Sequence, residues 1–169
     1  MRAGVWIAVV LAIGGCGYRL VDERAVFGPE VASIEIRAFE NRSAEPGYEQ
    51  MLADSLEEEF SRRGALRPLL GPGGADLVLS GSIREVRVRS AVFSSVEFSV
   101  EDEVRVSLRV SVGHPAEGRS LWEQPDLRVS EKFRSSPDPQ VYESNKQQAL
   151  RRLSARIAER IHDGLFQRF

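Results

Sequence analysis

Residues 96–112 read VEFSVEDEVRVSLRVSV, and Val96, Phe98, Val100, Val104, Val106, Leu108, Val110 and Val112 fall at alternate positions with a single gap at Asp102. Strict alternation marks a strand with one face in a core and the other in water, because successive side chains point to opposite sides of a sheet. Seventeen residues at about 3.4 Å each span roughly 58 Å, well beyond a usual strand, so this run is expected to bend or to project past the body of the domain. The stretch before it alternates too, with Leu77, Leu79, Gly81 and Ile83, but Val86, Val88 and Val92 then take up the opposite parity. A one-residue β-bulge near Arg84-Glu85 keeps all of them on one face. The two runs make a hairpin that turns near Ser94-Ser95.

Outward from this hairpin, Gly113 to Arg119 contains Pro115 and Gly118 and turns the chain into a final strand, Leu121 to about Phe133. Pro125 in its middle suits an edge strand. Near the start, Val31 to Phe39 alternates, with Ile34, Ile36 and Ala38 set against Glu35 and Arg37. From Tyr48 the period lengthens: Leu52, Leu56 and Phe60 lie four apart beside Met51, giving an amphipathic helix that Gly64 stops. A short strand at Leu66 to Leu70 and the turn Gly71-Pro72-Gly73-Gly74 follow. At the other end, Pro137-Asp138-Pro139 opens a long helix with Asp138 as N-cap, and Leu150, Leu153, Ile157, Ile161 and Leu165 form its apolar stripe. The fold expected is an α+β two-layer sandwich in β-α-β-β-β-α order, with two helices on one face of a mostly antiparallel four-stranded sheet.

The first residues have a different character. Arg2 precedes an apolar run from Val5 to Ile13, closed by Gly14-Gly15-Cys16. This is the layout of an export signal, and the run is too short to span a bilayer as a helix. Ile13-Gly14-Gly15-Cys16 resembles the bacterial lipobox, in which the cysteine is acylated before cleavage. Cys16 is the one cysteine in 169 residues, so no intramolecular disulfide is open to it, and a bare thiol is a liability outside the cytoplasm. Several acyl chains on Cys16, palmitate among them, would hold the protein stably at a membrane. Three regions are expected: residues 1–15 as a lipoprotein signal peptide, 16–30 as the lipidated cysteine and tether, and 31–169 as a single α+β domain.

Beyond the signal the chain carries 22 basic and 25 acidic residues, since Arg2 is the only charge removed with it. A protein that neutralises phosphates along a nucleic acid is basic overall, so that class of partner is excluded. Nor does the sequence hold an enzyme's constellation. His114 in a turn and His162 on what reads as the polar side of the last helix are expected to be surface residues, and Glu57-Glu58-Glu59 a solvated helix face. Gly71-Pro72-Gly73-Gly74 lacks the lysine and hydroxyl of a phosphate-binding loop. No metal or other cofactor is implied. With the bulge in place, Arg84, Arg87 and Arg89 point away from the apolar face, and Arg105 and Arg109 point the same way from the neighbouring strand. Two readings of this face are open: an ordinary solvated surface balanced by Glu97, Glu101 and Glu103, or an anion-binding patch suited to phosphate.

In order along nearly the whole chain after the signal, the sequence resembles the LptE family of lipopolysaccharide-assembly lipoproteins. The stretches that carry the likeness are Gly15-Cys16-Gly17-Tyr18, Phe39-Glu40-Asn41-Arg42-Ser43 through Pro46, Ala75-Asp76-Leu77-Val78-Leu79-Ser80-Gly81-Ser82-Ile83, Leu121-Trp122-Glu123 and the closing helix from Ala149. The resemblance implies a non-enzymatic protein at the periplasmic side of the outer membrane, with a lipid anchor. It further implies that the chain plugs the LptD-type β-barrel, helps that barrel assemble and binds lipopolysaccharide on its way to the cell surface. Gly17 is not the aspartate associated with inner-membrane retention. The Phe-x-Asn-Arg and Leu-x-Gly segments are also similar to lipoproteins that activate a periplasmic peptidoglycan synthase, which is the alternative function. On the first reading, the five arginines grip the phosphates of the head group while apolar surface nearby meets the lipid.

Overall fold

The computed structural model describes residues 27–28, 30–69, 71, 73–91, 101–115 and 120–167. The expected signal, Cys16, most of the tether, the turn at Ser94-Ser95 and the alternating residues Val92, Val96, Phe98 and Val100 lie outside them. The described elements are β1 (Ser33–Ile36), β2 (Glu40–Asn41), α1 (Tyr48–Arg63), β3 (Arg67–Leu69), β4 (Leu77–Ala91), β5 (Glu101–Gly113), β6 (Ser120–Arg134) and α2 (Pro139–Phe166). They form one open mixed sheet in the order β3-β1-β4-β5-β6, with β2 paired to β4 at Ser82 and Ile83.

The expected four-stranded, mostly antiparallel sheet is therefore corrected to six strands, of which only β4, β5 and β6 pair antiparallel. β1 pairs parallel with both β3 and β4, and β2 pairs parallel with β4. The cause is a crossover. α1 carries the chain from β1 back to the same end of the sheet, so β3 starts beside β1 in the same direction. Pro68 has no N–H to give and sits in β3, at one edge of the sheet, while Pro125 sits in β6 at the other.

The bulge falls where the parity slip places it. Ile83 pairs with Leu108 and Glu85 with Ser107, which leaves Arg84 as the extra residue. Val86 and Val88 then face Val106 and Val104, in line with Leu77, Leu79 and Ile83 on the inner side. Both helices cover that side. Leu52, Leu56 and Phe60 of α1 and Leu150, Leu153, Ile157, Ile161 and Leu165 of α2 are fully buried in one continuous core with the inward residues of the sheet. Gly64, at a φ of 71°, ends α1 in the left-handed conformation that glycine adopts without strain. Asp138 caps α2 by accepting from the backbone N–H groups of Gln140 and Val141.

The short parallel strands are held by side chains. Asp76 accepts hydrogen bonds from Ala32 N (3.0 Å), Ser33 N (2.9 Å) and Ser33 Oγ (2.6 Å), tying the start of β1 to the start of β4. Asn41 uses its whole amide in the loop before α1: Nδ2 donates to Glu45 O and Glu49 Oε2, and Oδ1 accepts from Ser43 N and Oγ. Phe39 lies directly over Gly81. A Cβ on Gly81 would stand 2.3 Å from the Arg109 carbonyl oxygen and 2.5 Å from Phe39 Cε1. Trp122 packs in the same way on Gly164 of α2, whose Cβ would stand 3.0 Å from the indole.

Gly81→Ala is expected to destabilise the domain by roughly 2–3 kcal/mol, because one of the obstructing atoms is backbone and cannot swing away; a thermal melt matching the wild type would contradict the packing. At the other tie, the hydrogen bonds from Ser33, Ala32 and Asp76's own backbone hold the Asp76 carboxyl below its ordinary value. A depressed folded value means the stabilisation is present above the unfolded value and fades as pH falls through the folded one. Asp76→Asn should thus lower the melting temperature by several degrees at pH 7, and the gap to the wild type should close progressively below about pH 4.

Candidate anion-binding face

The outer side of β4, β5 and β6 is the side the helices leave open, and all five arginines singled out from the sequence lie on it. Arg87 stands directly opposite Arg105, Arg89 opposite Glu103, and Arg109 opposite Ser82. Arg84, the bulged residue, turns to the same side, where its guanidinium lies 3.9 Å from Asp126 on β6. All five are exposed.

Three further basic residues come from β6. Arg128 pairs with Ser107, Lys132 with Glu103 and Arg134 with Glu101, so their side chains join the same face. Sequence reading missed them because β6 slips by one residue as β4 does. Val110 pairs with Gln124 but Leu108 with Leu127, which absorbs one residue at Pro125-Asp126. The signal was present: Trp122 is even-numbered, whereas the inward Leu127, Val129 and Phe133 are odd.

Carboxylates run among these cations. Arg87 pairs with Glu85, Arg105 with Glu103 at 3.1 Å, Arg109 with Glu123 at 3.9 Å, Arg128 with Asp126 at 2.6 Å and Lys132 with Glu101 at 3.3 Å. The expected Glu101 and Glu103 are joined by Glu85, Glu123 and Asp126, and Glu97 lies outside the described residues. The Ser130 hydroxyl, the charge of Arg105 and Lys132, and a hydrogen bond from Arg105 hold Glu103 below its ordinary value, so it stays ionised at neutral pH. Basic groups still outnumber acidic ones. Exposed pairs such as these are individually weak and leave the guanidinium groups able to take another anion.

Between the charges the described face carries several serines: Ser80, Ser82, Ser107, Ser111 and Ser130. Val141, at the start of α2, is the one strongly exposed large hydrophobic among the described residues.

Two other expectations are also corrected. His162 is not a surface residue but is 1% exposed, packed between Phe60 and Phe166 with ring centroids 5.2 and 4.5 Å away. Glu59 leaves the solvated face expected for 57–59 and is 5% exposed. Burial pushes its carboxyl up, but hydrogen bonds from Arg63 and Arg62 outweigh that, and the net shift is downward. His114 is half-buried, its Nδ1 3.1 Å from the Asp76 carbonyl. Among the described residues no group of histidine, cysteine, aspartate and glutamate is arranged to hold a metal ion, and no helix is long and apolar enough to cross a membrane.

The fold is shared with solved structures that include proteins described as lipoproteins. A lipoprotein from Caulobacter crescentus CB15 superposes with a TM-score of 0.58 at 19% identity, over 79% of this chain and 88% of that one. A minor lipoprotein from Acinetobacter baumannii gives 0.53 at 13% identity, over 80% and 92%, and protein XCC0632 from Xanthomonas campestris gives 0.53 at 16%, over 76% and 82%. At such identities the likeness is one of fold. No curated protein sequence matches the chain. The profile of the LptE family, described as lipopolysaccharide-assembly, matches residues 31–165, which takes in every described strand and nearly all of α2. The chain therefore belongs to the LptE family.

Proposed function

We propose that this protein is an outer-membrane lipoprotein, anchored on the periplasmic side through an acylated Cys16, which binds the phosphorylated head group of lipopolysaccharide on the outer face of β4, β5 and β6. It does so as the plug and assembly partner of an LptD-type β-barrel, and it performs no catalysis. The barrel role rests on family membership, which favours this reading over the activator of a peptidoglycan synthase.

The observation that supports head-group binding is the direct opposition of Arg87 and Arg105 across the β4–β5 ladder, with Arg128 and Lys132 diagonal to them on β6. Like charges facing one another across strands are destabilising, and a multivalent anion between them removes that cost. Guanidinium forks match phosphate oxygens two at a time, and the Ser107 and Ser130 hydroxyls in the same rows add neutral donors.

Replacing Arg87 and Arg105 together with glutamate should weaken lipopolysaccharide binding by about tenfold at low ionic strength, with added salt reproducing part of the loss in the wild type. The melting temperature should stay near the wild-type value because both side chains are exposed. Capture of the barrel should persist. Unchanged binding by a folded double variant would reduce this face to a solvated surface.

A further inference from the structure

β6 is the last strand of the sheet, and its outer edge carries a row of backbone groups that no described strand pairs. An edge of that length is a template for another chain. Here α2 runs alongside and supplies side-chain donors where a neighbouring strand would supply N–H groups. Asn145 Nδ2 donates to the Arg134 carbonyl (2.9 Å), Arg156 Nη2 to that of Ser130 (3.2 Å) and Arg160 Nη1 to that of Arg128 (3.4 Å). The three carbonyls share one parity and therefore point outward together.

The edge is basic on both of its sides. Arg128, Lys132 and Arg134 flank it on the outer face, and Arg152, Arg156 and Arg160 on the helix side. Glu131, which lies among them, is already taken by Arg152 at 2.7 Å and by Arg156. Beside the other half of the edge, a groove of about 380 Å³ between Trp122, Leu127 and Gly164 leaves room for a partner side chain.

We infer that the free edge of β6 is a docking edge for an extended, acidic segment of a partner protein, which adds to the sheet as a further strand. Its backbone N–H groups replace the side-chain donors on the carbonyls of Arg128, Ser130 and Arg134. Its carboxylates then pair with Arg156 and Arg160 as these are released, Arg152 keeps Glu131, and the Asn145 amide turns to water, so no carbonyl of the edge is left without a donor. A second copy of this chain is the poorer occupant, since antiparallel addition of β6 to itself about Glu131 sets Arg128 against Arg134 and Glu131 against its own copy.

The test is a fluorescein-labelled decapeptide of alternating Glu and Val, titrated into the full chain in detergent and followed by anisotropy. Saturable binding is expected. It should weaken at least tenfold when Lys replaces Glu in the peptide, and likewise when alternate peptide amides are N-methylated. The same loss is expected with Ser130→Pro, which deletes one outward N–H at an edge position that tolerates proline. Absence of saturable binding would overturn the inference, as would equal binding of the N-methylated peptide, since the contact would then be ionic with no strand added. Equal binding of the Lys peptide would overturn the acidic character of the partner. Should Ser130→Pro fail to fold, the N-methylated peptide on the wild-type chain still separates strand addition from ionic contact.

Discussion

One extra residue in β4 sets the character of both faces of this sheet. Up to Ile83 the inward positions are odd-numbered, and beyond Arg84 they are even-numbered. Without the bulge, Val86 and Val88 would turn to solvent while Arg87 and Arg89 would be driven to the inner side, where Val86 and Val88 pack against the core. Burying an unpaired guanidinium costs several kcal/mol, far more than a strand irregularity, so the register is strongly specified. The same slip brings Arg87 and Arg89 to the outer face, where Arg87 stands opposite Arg105 and joins the cations that β5 and β6 already present there. Core and site are two consequences of one backbone feature.

The segments that carry the family likeness prove to be chiefly structural. Phe39 and Gly81 need one another, since the ring occupies the space that any Cβ at position 81 would fill. Asn41 closes the loop into α1, Asp76 ties β1 to β4, and Trp122 rests on Gly164. None of these residues lies among the arginines. Family membership thus accounts for how the scaffold is held, whereas the anion-binding reading stands on the geometry of this chain's own outer face.

Much of this was legible in the sequence, for a physical reason: long elements repeat their pattern often enough to fix a face. The α1 and α2 stripes, both caps, the long hairpin and the bulge are all of this kind. What could not be read belongs to short elements and single side chains. β1, β2 and β3 have four, two and three residues, too few to show which neighbour they pair with or in which direction. Glu59 reads as polar surface until Arg62 and Arg63 are seen to neutralise it, and His162 until it is placed between two phenylalanine rings. Arg128, Lys132 and Arg134 escaped because the slip at Pro125-Asp126 reversed the parity of β6, although the pattern contained it.

Cross-strand disulfide trapping reads the register across the bulge most directly. Paired cysteines at positions 87 and 105 should crosslink on mild oxidation, because Arg87 and Arg105 are direct partners once Arg84 is set aside. Cysteines at 86 and 105 should not, since their side chains lie on opposite faces. Efficient crosslinking of 86 with 105 and none of 87 with 105 would mean that β4 runs without the bulge, and Arg87 and Arg89 would then not belong to the basic face.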